Sequence, residues 1–142
     1  MPTKADLSLI ALLRENARAS TAELARQLGV SRTTVQSRLE KLERQGIVQG
    51  YTVRIAPAFE RDLVRAHVLV TALPKLAPKV ETALREMMAV RTLHSVSGNF
   101  DMIVVVEAPS IQELDTILDK IGALEGVERT MSSIILSTRI ER

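Results

Sequence analysis

The feature that most constrains this chain is Gly29-Val30-Ser31, a three-residue interruption between two stretches of helical periodicity. Before it, TAELARQLGVS (Thr21 to Ser31) sets Leu24 and Leu28 four residues apart on one helical face, and Ser20 with Glu23 reads as a capping box that bounds the helix. After it, SRTTVQSRLEKLERQG (Ser31 to Gly46) spaces Val35, Leu39 and Leu42 as a buried stripe. Ser31 is the expected cap of this second helix, and Gly46 supplies the left-handed residue that stops it. Two bounded helices joined by a short glycine-containing turn make a helix-turn-helix, whose second helix enters the DNA major groove.

The rest of that second helix supports the same partner. At about 100° per residue, Thr33, Ser37, Lys41 and Arg44 turn away from the apolar stripe, with Arg32 and Gln36 on the shoulder and Glu40 the only acid among them. On an isolated helix such a face is an ordinary solvated surface; behind a helix and a tight turn it is a basic, donor-rich face for an anionic duplex. Arg32, Thr33, Gln36 and Ser37 sit in the first turns, so they are assigned to base edges, where arginine pairs with guanine and glutamine with adenine. Ser31 and Thr34 complete the set at the helix start. Lys41, Arg44, Arg26 and Arg54 are assigned to phosphates, which set register without reading sequence.

Charge is distributed unevenly along the chain. Residues 1–55 carry nine Lys/Arg and five Asp/Glu, net 9 − 5 = +4, and residues 56–142 carry ten and twelve, net 10 − 12 = −2. A basic head on a mildly acidic body suits a nucleic-acid-binding domain joined to one with another task. The expected division is a winged helix-turn-helix domain at 1–55, a linker at 56–63 and a second domain at 64–142. A first helix over Lys4 to Asn16, with Leu7, Ile10, Leu13 and the neighbouring Leu9 and Ala11 giving a broad apolar side, completes a three-helix head. Ile47, Val48, Tyr51, Val53 and Ile55 prefer an extended chain and predict a wing, and Pro57 biases Ala56 away from helix. The chain has no cysteine, which excludes disulfides and thiolate metal sites and suits a reducing cytoplasm. The start, MPTKADLSLIALLREN, fits neither a signal peptide nor a membrane span.

The second part is legible through the order of its elements. Strands are predicted at 64–73, 90–97, 102–108 and 127–140, and helices at 76–88 and 110–122, the latter opened by a Ser110/Glu113 capping box and stopped at Gly122. This β-α-β-β-α-β order defines an α+β, ferredoxin-like sandwich. Its two helices cover one face of the sheet, yet 102–106 is apolar on both faces, with Met102, Val104 and Val106 against Ile103 and Val105, and the last strand sets Ile134 and Leu136 against Met131 and Ile135. The uncovered face predicts a partner, and a second copy is expected, because closed homo-oligomers predominate and a two-fold pair presents two recognition helices to two half-sites.

The whole combination resembles the Lrp/AsnC family, the leucine-responsive or feast/famine regulators. The resemblance rests on Asp6, AELARQLGVSRTTVQSRLEKLERQGIV and GYTVRI in the head, and on GNFD at 98–101 and GVERTMSSIIL at 126–136 in the body. It implies a sequence-specific transcription regulator whose C-terminal domain binds a small molecule, often an amino acid, between subunits of dimers that assemble further into tetramers or octamers. It also points to Ser97, Gly98, Asn99, Phe100 and Asp101, and to Thr130, Ser132 and Ser133, as effector contacts. Phe100 departs from the tyrosine of many relatives, keeping the ring without its hydroxyl. Gly98 permits a turn whose amides face a carboxylate, Asp101 suits an ammonium group and the hydroxyls add donors. The same residues also fit a plain hairpin turn, with Asp101 as its capping side chain.

Two other classes compete with this reading. Siroheme decarboxylases resemble the same head-and-sandwich architecture, but His67 and His94, the only histidines, are far apart in sequence, and no acid, histidine and nucleophile set stands at helpful spacing. An architectural protein that wraps DNA without an effector is the other. No cofactor and no metal is expected.

Overall fold

The computed structural model describes residues 1–59 and 63–142. They form two compact units, Met1–Ile55 and Ala56–Arg142. The stretch 60–62, within the expected linker 56–63, lies outside the described residues; just before it, Phe59 N–H donates to the Ala56 carbonyl at 2.8 Å in a turn.

The first unit is a bundle of three helices, α1 (Lys4–Glu15), α2 (Thr21–Leu28) and α3 (Arg32–Arg44). Leu9 and Leu13 of α1, Leu24 and Ala25 of α2, and Val35 and Leu42 of α3 close its core, with Leu28, Val30, Leu39 and Val48 packed around them. Gly29 holds φ +68°, which lets the chain reverse while Val30 N–H reaches back to the Ala25 carbonyl at 3.0 Å. The end of α3 repeats this device, with Ile47 N–H bonded to the Leu42 carbonyl at 2.9 Å. Each helix start is capped by a hydroxyl, Thr3, Ser20 and Ser31 in turn. The reciprocal box forms at Thr3/Asp6 rather than at Ser20/Glu23, because the Glu23 carboxylate is taken by Arg26 and Gln27 one turn along α2. At Ser110/Glu113 likewise half the box forms: Glu113 N–H donates to Ser110 Oγ at 3.1 Å, and the Glu113 carboxylate accepts from the Ser110 hydroxyl at 3.2 Å instead of from the cap backbone.

The expected wing does not form as a strand. Ile47 and Val48 fold back onto α3, and Tyr51–Ile55 are exposed and carry no ladder among the described residues. Their β-favouring side chains have no returning strand within the unit to supply the inter-strand hydrogen bonds a ribbon requires. Tyr51 instead turns its hydroxyl back to Glu43 at 2.7 Å.

The second unit is a four-stranded antiparallel sheet in the order β2 (Val90–Ser95), β3 (Met102–Ala108), β1 (Val64–Ala72), β4 (Val127–Ile135), with α4 (Ala77–Glu86) and α5 (Ile111–Gly122) on one face. The alternation predicted for 102–106 is realised: Met102, Val104, Val106 and Ala108 are buried against Val80, Leu84, Leu114 and Ile121, together with Ala66, Val68, Val70 and Ala72 of β1. Helix α4 begins after a 3-10 turn at Pro74–Leu76 and ends at Glu86, where Met87 turns extended, and β2 stops at Ser95. Strand β4 stops at Ile135 instead of 140, and its last pair with β1 among the described residues is Arg65↔Ile135.

Opposite the helices lies a second sheet face made of Arg65, His67, Leu69 and Thr71 on β1, Ile103, Val105 and Glu107 on β3, and Arg129, Met131, Ser133 and Ile135 on β4, aligned as cross-strand partners. Its residues are half-buried to exposed, Met131 at 53%. Arg65 bonds Glu107 at 2.8 Å at one end of this face.

Gly126 closes the turn into β4 at φ +98°, its carbonyl accepting from Leu73 N–H at 2.8 Å. A Cβ there would stand 2.6 Å from Leu76 Cβ and 3.0 Å from Val80 Cγ2. Gly126→Ala is therefore expected to destabilise the second unit by about 2 kcal/mol or more, from overpacking and a left-handed backbone. Gly50→Ala, with no atom within 4 Å, is the control. Urea unfolding followed by circular dichroism reads the difference; equal midpoints for the two variants would contradict it.

Candidate DNA interface and effector site

The burial of Val35 at 0% and Leu42 at 1% exposure fixes which way α3 faces. Arg32, Thr33, Gln36, Ser37, Lys41 and Arg44 are all exposed on the side away from the core. Ser31 and Thr34 are engaged in the cap: Ser31 Oγ accepts Thr34 N–H at 3.1 Å and the two hydroxyls meet at 2.8 Å. Their work is to set the start of α3. Gln36 donates to Glu40 at 3.0 Å, and Arg26 pairs with Glu23, so both carry a local partner that a base or phosphate would replace. Arg32 and Arg44 form no ion pair among the described residues. Arg54 lies on the exposed segment after α3, outside its face.

A link from α1 to α3 was missed in reading the sequence for function. Asp6 is buried at 5% exposure; its Oδ2 accepts Thr3 N–H at 2.8 Å and its own N–H donates to Thr3 Oγ1 at 3.2 Å. The Thr3 backbone bond, helped by the Thr3 hydroxyl and by the charges of Lys41 and Arg38 on α3, holds this carboxyl below its ordinary value of 3.8 against the opposing effect of burial. A single acid thus caps α1 and is influenced by the charges of Lys41 and Arg38 on α3. The Tyr51 phenol is pushed up to about 12 by burial and by Glu43, so it remains a donor to that carboxylate.

In the second unit the loop after β2 is drawn onto β1. Asp101 N–H donates to the Val70 carbonyl at 2.9 Å, its Oδ2 accepts Ala72 N–H at 2.9 Å, and its carbonyl accepts Val96 N–H at 3.0 Å. The Asp101 side chain therefore ties the loop to β1, while the hairpin itself is closed by the backbone bond between Val96 and Asp101. Gly98 adopts φ +106°, Ser97, Gly98 and Asn99 are exposed, and Phe100 is half-buried under the Arg129 guanidinium, whose carbon stands 5.3 Å from the ring centroid.

The expected hydroxyl set does not converge. Thr130 and Ser132 share the helix-side face of β4, opposite Val70 and Val68, whereas Ser133 is opposite His67 on the other face. Counting β4 with a period of two would have separated them and put Arg129, not Thr130, beside Phe100. His67 and His94 sit on β1 and β2 with β3 between them, opposite Val105 and Ile103, and both are exposed. No cluster of His, Asp or Glu among the described residues could hold a metal ion. An open groove of about 640 Å³ between α4 and β2, lined by Glu81, Arg85, Arg91, Leu93 and Met102 among others, includes none of the expected effector residues.

An exposed basic helix on a helix-turn-helix, joined to a βαββαβ sandwich, marks a DNA-binding head carried with a second domain of another task. Residues 65–142 match the Lrp/AsnC ligand binding domain, and residues 3–49 match a winged helix-turn-helix DNA-binding domain. The HTH-type transcriptional regulator LrpA of Mycobacterium tuberculosis is 37% identical over 134 residues, covering 94% of this chain and 89% of LrpA. The HTH-type transcriptional regulator LysM of Saccharolobus solfataricus is 31% identical over 136 residues, covering 95% and 94%. Among solved structures, Escherichia coli AsnC superposes with a TM-score of 0.86 at 26% identity, covering 100% of this chain and 97% of AsnC. The chain belongs to the Lrp/AsnC family. It is a transcription regulator, and the resemblance seen in its sequence holds for both of its domains.

Because the folded-state pKa of Asp6 lies below its unfolded value, its contribution to stability is present above pH 3.8 and is lost as pH falls through the folded value. Asp6→Asn is expected to flatten the acid limb of the head's stability below that pH. Thermal unfolding at stepped pH reads it, and parallel wild-type and variant profiles below pH 4 would contradict it.

Proposed function

We propose that this regulator binds DNA as a homodimer, reads its site with α3 in the major groove, and responds to a free amino acid. The observation that carries the DNA half is the exposure of Arg32, Thr33, Gln36 and Ser37 together on the first turns of a helix whose opposite side is sealed in the core. These four are assigned to base edges, and Lys41, Arg44, Arg26 and Arg54 to the backbone. Ser31 and Thr34 hold the helix end that meets the duplex.

Pairing of two copies draws support from the sheet. Leu69, Ile103, Val105, Met131 and Ile135 lie on the sheet face opposite α4 and α5, which neither helix of the second unit covers. Apolar surface of that kind is a docking surface, and a second copy is its simplest partner. Further assembly into tetramers or octamers would repeat contacts between such dimers. The effector reading draws support from the loop 97–101, where a positive-φ glycine, a half-buried ring and an acid pinned to the sheet lie side by side. The relatives are transcriptional regulators, and this chain is read as a regulator without an enzyme activity. No helix among the described residues is long and apolar enough to cross a membrane; with a chain free of cysteine, the cytoplasm is the assigned compartment.

Selection of bound fragments from random duplex DNA tests the reading and is expected to return a palindrome. On the selected site Arg32→Ala should relax preference at one position, at a cost of about 1–3 kcal/mol. Arg44→Ala should weaken cognate and scrambled DNA alike and reduce the salt slope by about one. Equal losses on both DNAs for Arg32→Ala would remove it from the base-reading set. Val105→Lys on the uncovered face is expected to give monomers by light scattering, and a persisting dimer would place the interface elsewhere.

A further inference from the structure

Where β1 ends and β4 begins, four observations fall on one small patch. Thr71 and Arg129 are direct cross-strand partners on the uncovered sheet face. The ladder is irregular at this point, since Thr71 faces Arg129 but Ala72 faces Val127, which leaves Glu128 as an extra residue in β4. Bulges of this type re-aim a neighbouring side chain and are common beside binding sites. The Arg129 guanidinium lies over the Phe100 ring, at 5.3 Å from its centroid. Finally, Thr71 Oγ1 is buried with no hydrogen-bond partner among the described residues, an unfavourable arrangement for a hydroxyl that native proteins keep rare.

We propose that Arg129 and Thr71 form the carboxylate anchor of the effector site: a guanidinium steadied on Phe100 beside an orphaned hydroxyl binds the α-carboxylate of a free amino acid. The proposal rests on the reading that the loop 97–101 borders the effector. Stacking on an aromatic face holds a guanidinium through its plane and leaves its N–H edge available for a two-pronged bond to a carboxylate. Arg129 is exposed and takes part in no ion pair among the described residues, so that edge has no competing acid. The Thr71 hydroxyl supplies a further donor. Asp101 brackets Thr71 on both sides, bonding the Val70 carbonyl through its N–H and the Ala72 N–H through its carboxylate. Its carboxylate is thus held next to Thr71 along β1, where it can meet the ammonium group of the same ligand. The earlier choice of Thr130 and Ser132 gives way to Arg129 and Thr71, because the former pair lies on the sheet's other face.

Titration calorimetry of the full chain with the twenty standard L-amino acids, followed by the carboxamide of each one that binds, tests this. The wild type should prefer the acid over the amide by about tenfold or more, the range of a charged hydrogen bond. Arg129→Gln should lose about tenfold in affinity for the acid and bind acid and amide alike, while Arg129→Lys should retain part of the preference. Thr71→Val should weaken the acid more than the amide. A merely structural role for Arg129 would lower both ligands together, so a lowered affinity with the acid preference intact overturns the assignment. So does acid affinity in Arg129→Gln within about twofold of wild type; in either case the effector reading stands. Failure of the wild type to bind any of the twenty would overturn both.

Discussion

Everything the head can do depends on the seating of Val35 and Leu42 against Leu9, Leu13 and Leu24. A helix of thirteen residues is marginal in water by itself, and α3 persists because its apolar stripe is buried and its ends are closed by Ser31 and by the turn at Gly46. Burying that stripe decides at the same time which side chains face outward. The basic face is thus a by-product of core packing. Asp6 adds a weaker electrostatic tie, since the acid that caps α1 also feels the charges of Lys41 and Arg38.

The same economy governs the second unit with a different period. Along β1 and β3 every second residue is sealed under α4 and α5, and the intervening ones are left to a partner or a ligand. One face becomes the core and the other becomes the working surface. Asp101 connects the two ends of this arrangement, since it fastens the loop between β2 and β3 to the backbone of β1 just where Thr71 meets Arg129.

The sequence was most informative where a single periodicity sufficed. The stripe of α3, the glycine turn at Gly29 and the order of strands and helices after Val64 all follow from spacing and local chemistry, and the structure realises them. It was least informative where an outcome depended on a distant neighbour. Tyr51, Val53 and Ile55 have strand-forming side chains, but a strand needs a second strand, and none is provided within the head. The length of β4 depends on its pairing with β1, whose last described pair is Arg65↔Ile135, and residues 136–140 do not encode that limit. Thr130, Ser132 and Ser133 were grouped as hydroxyls although alternation puts them on opposite faces, while Arg129 and Thr71 gained interest only through cross-strand pairing.

The most direct measurement of the central claim is chemical interference mapping on a selected duplex, in which single purines are methylated before binding. With α3 in the major groove, methylation at guanine N7 is expected to block binding in two clusters about one helical turn apart, because N7 faces that groove and each copy brings one helix. Interference confined to adenine N3, which faces the minor groove, or an absence of interference from any purine, would contradict the account.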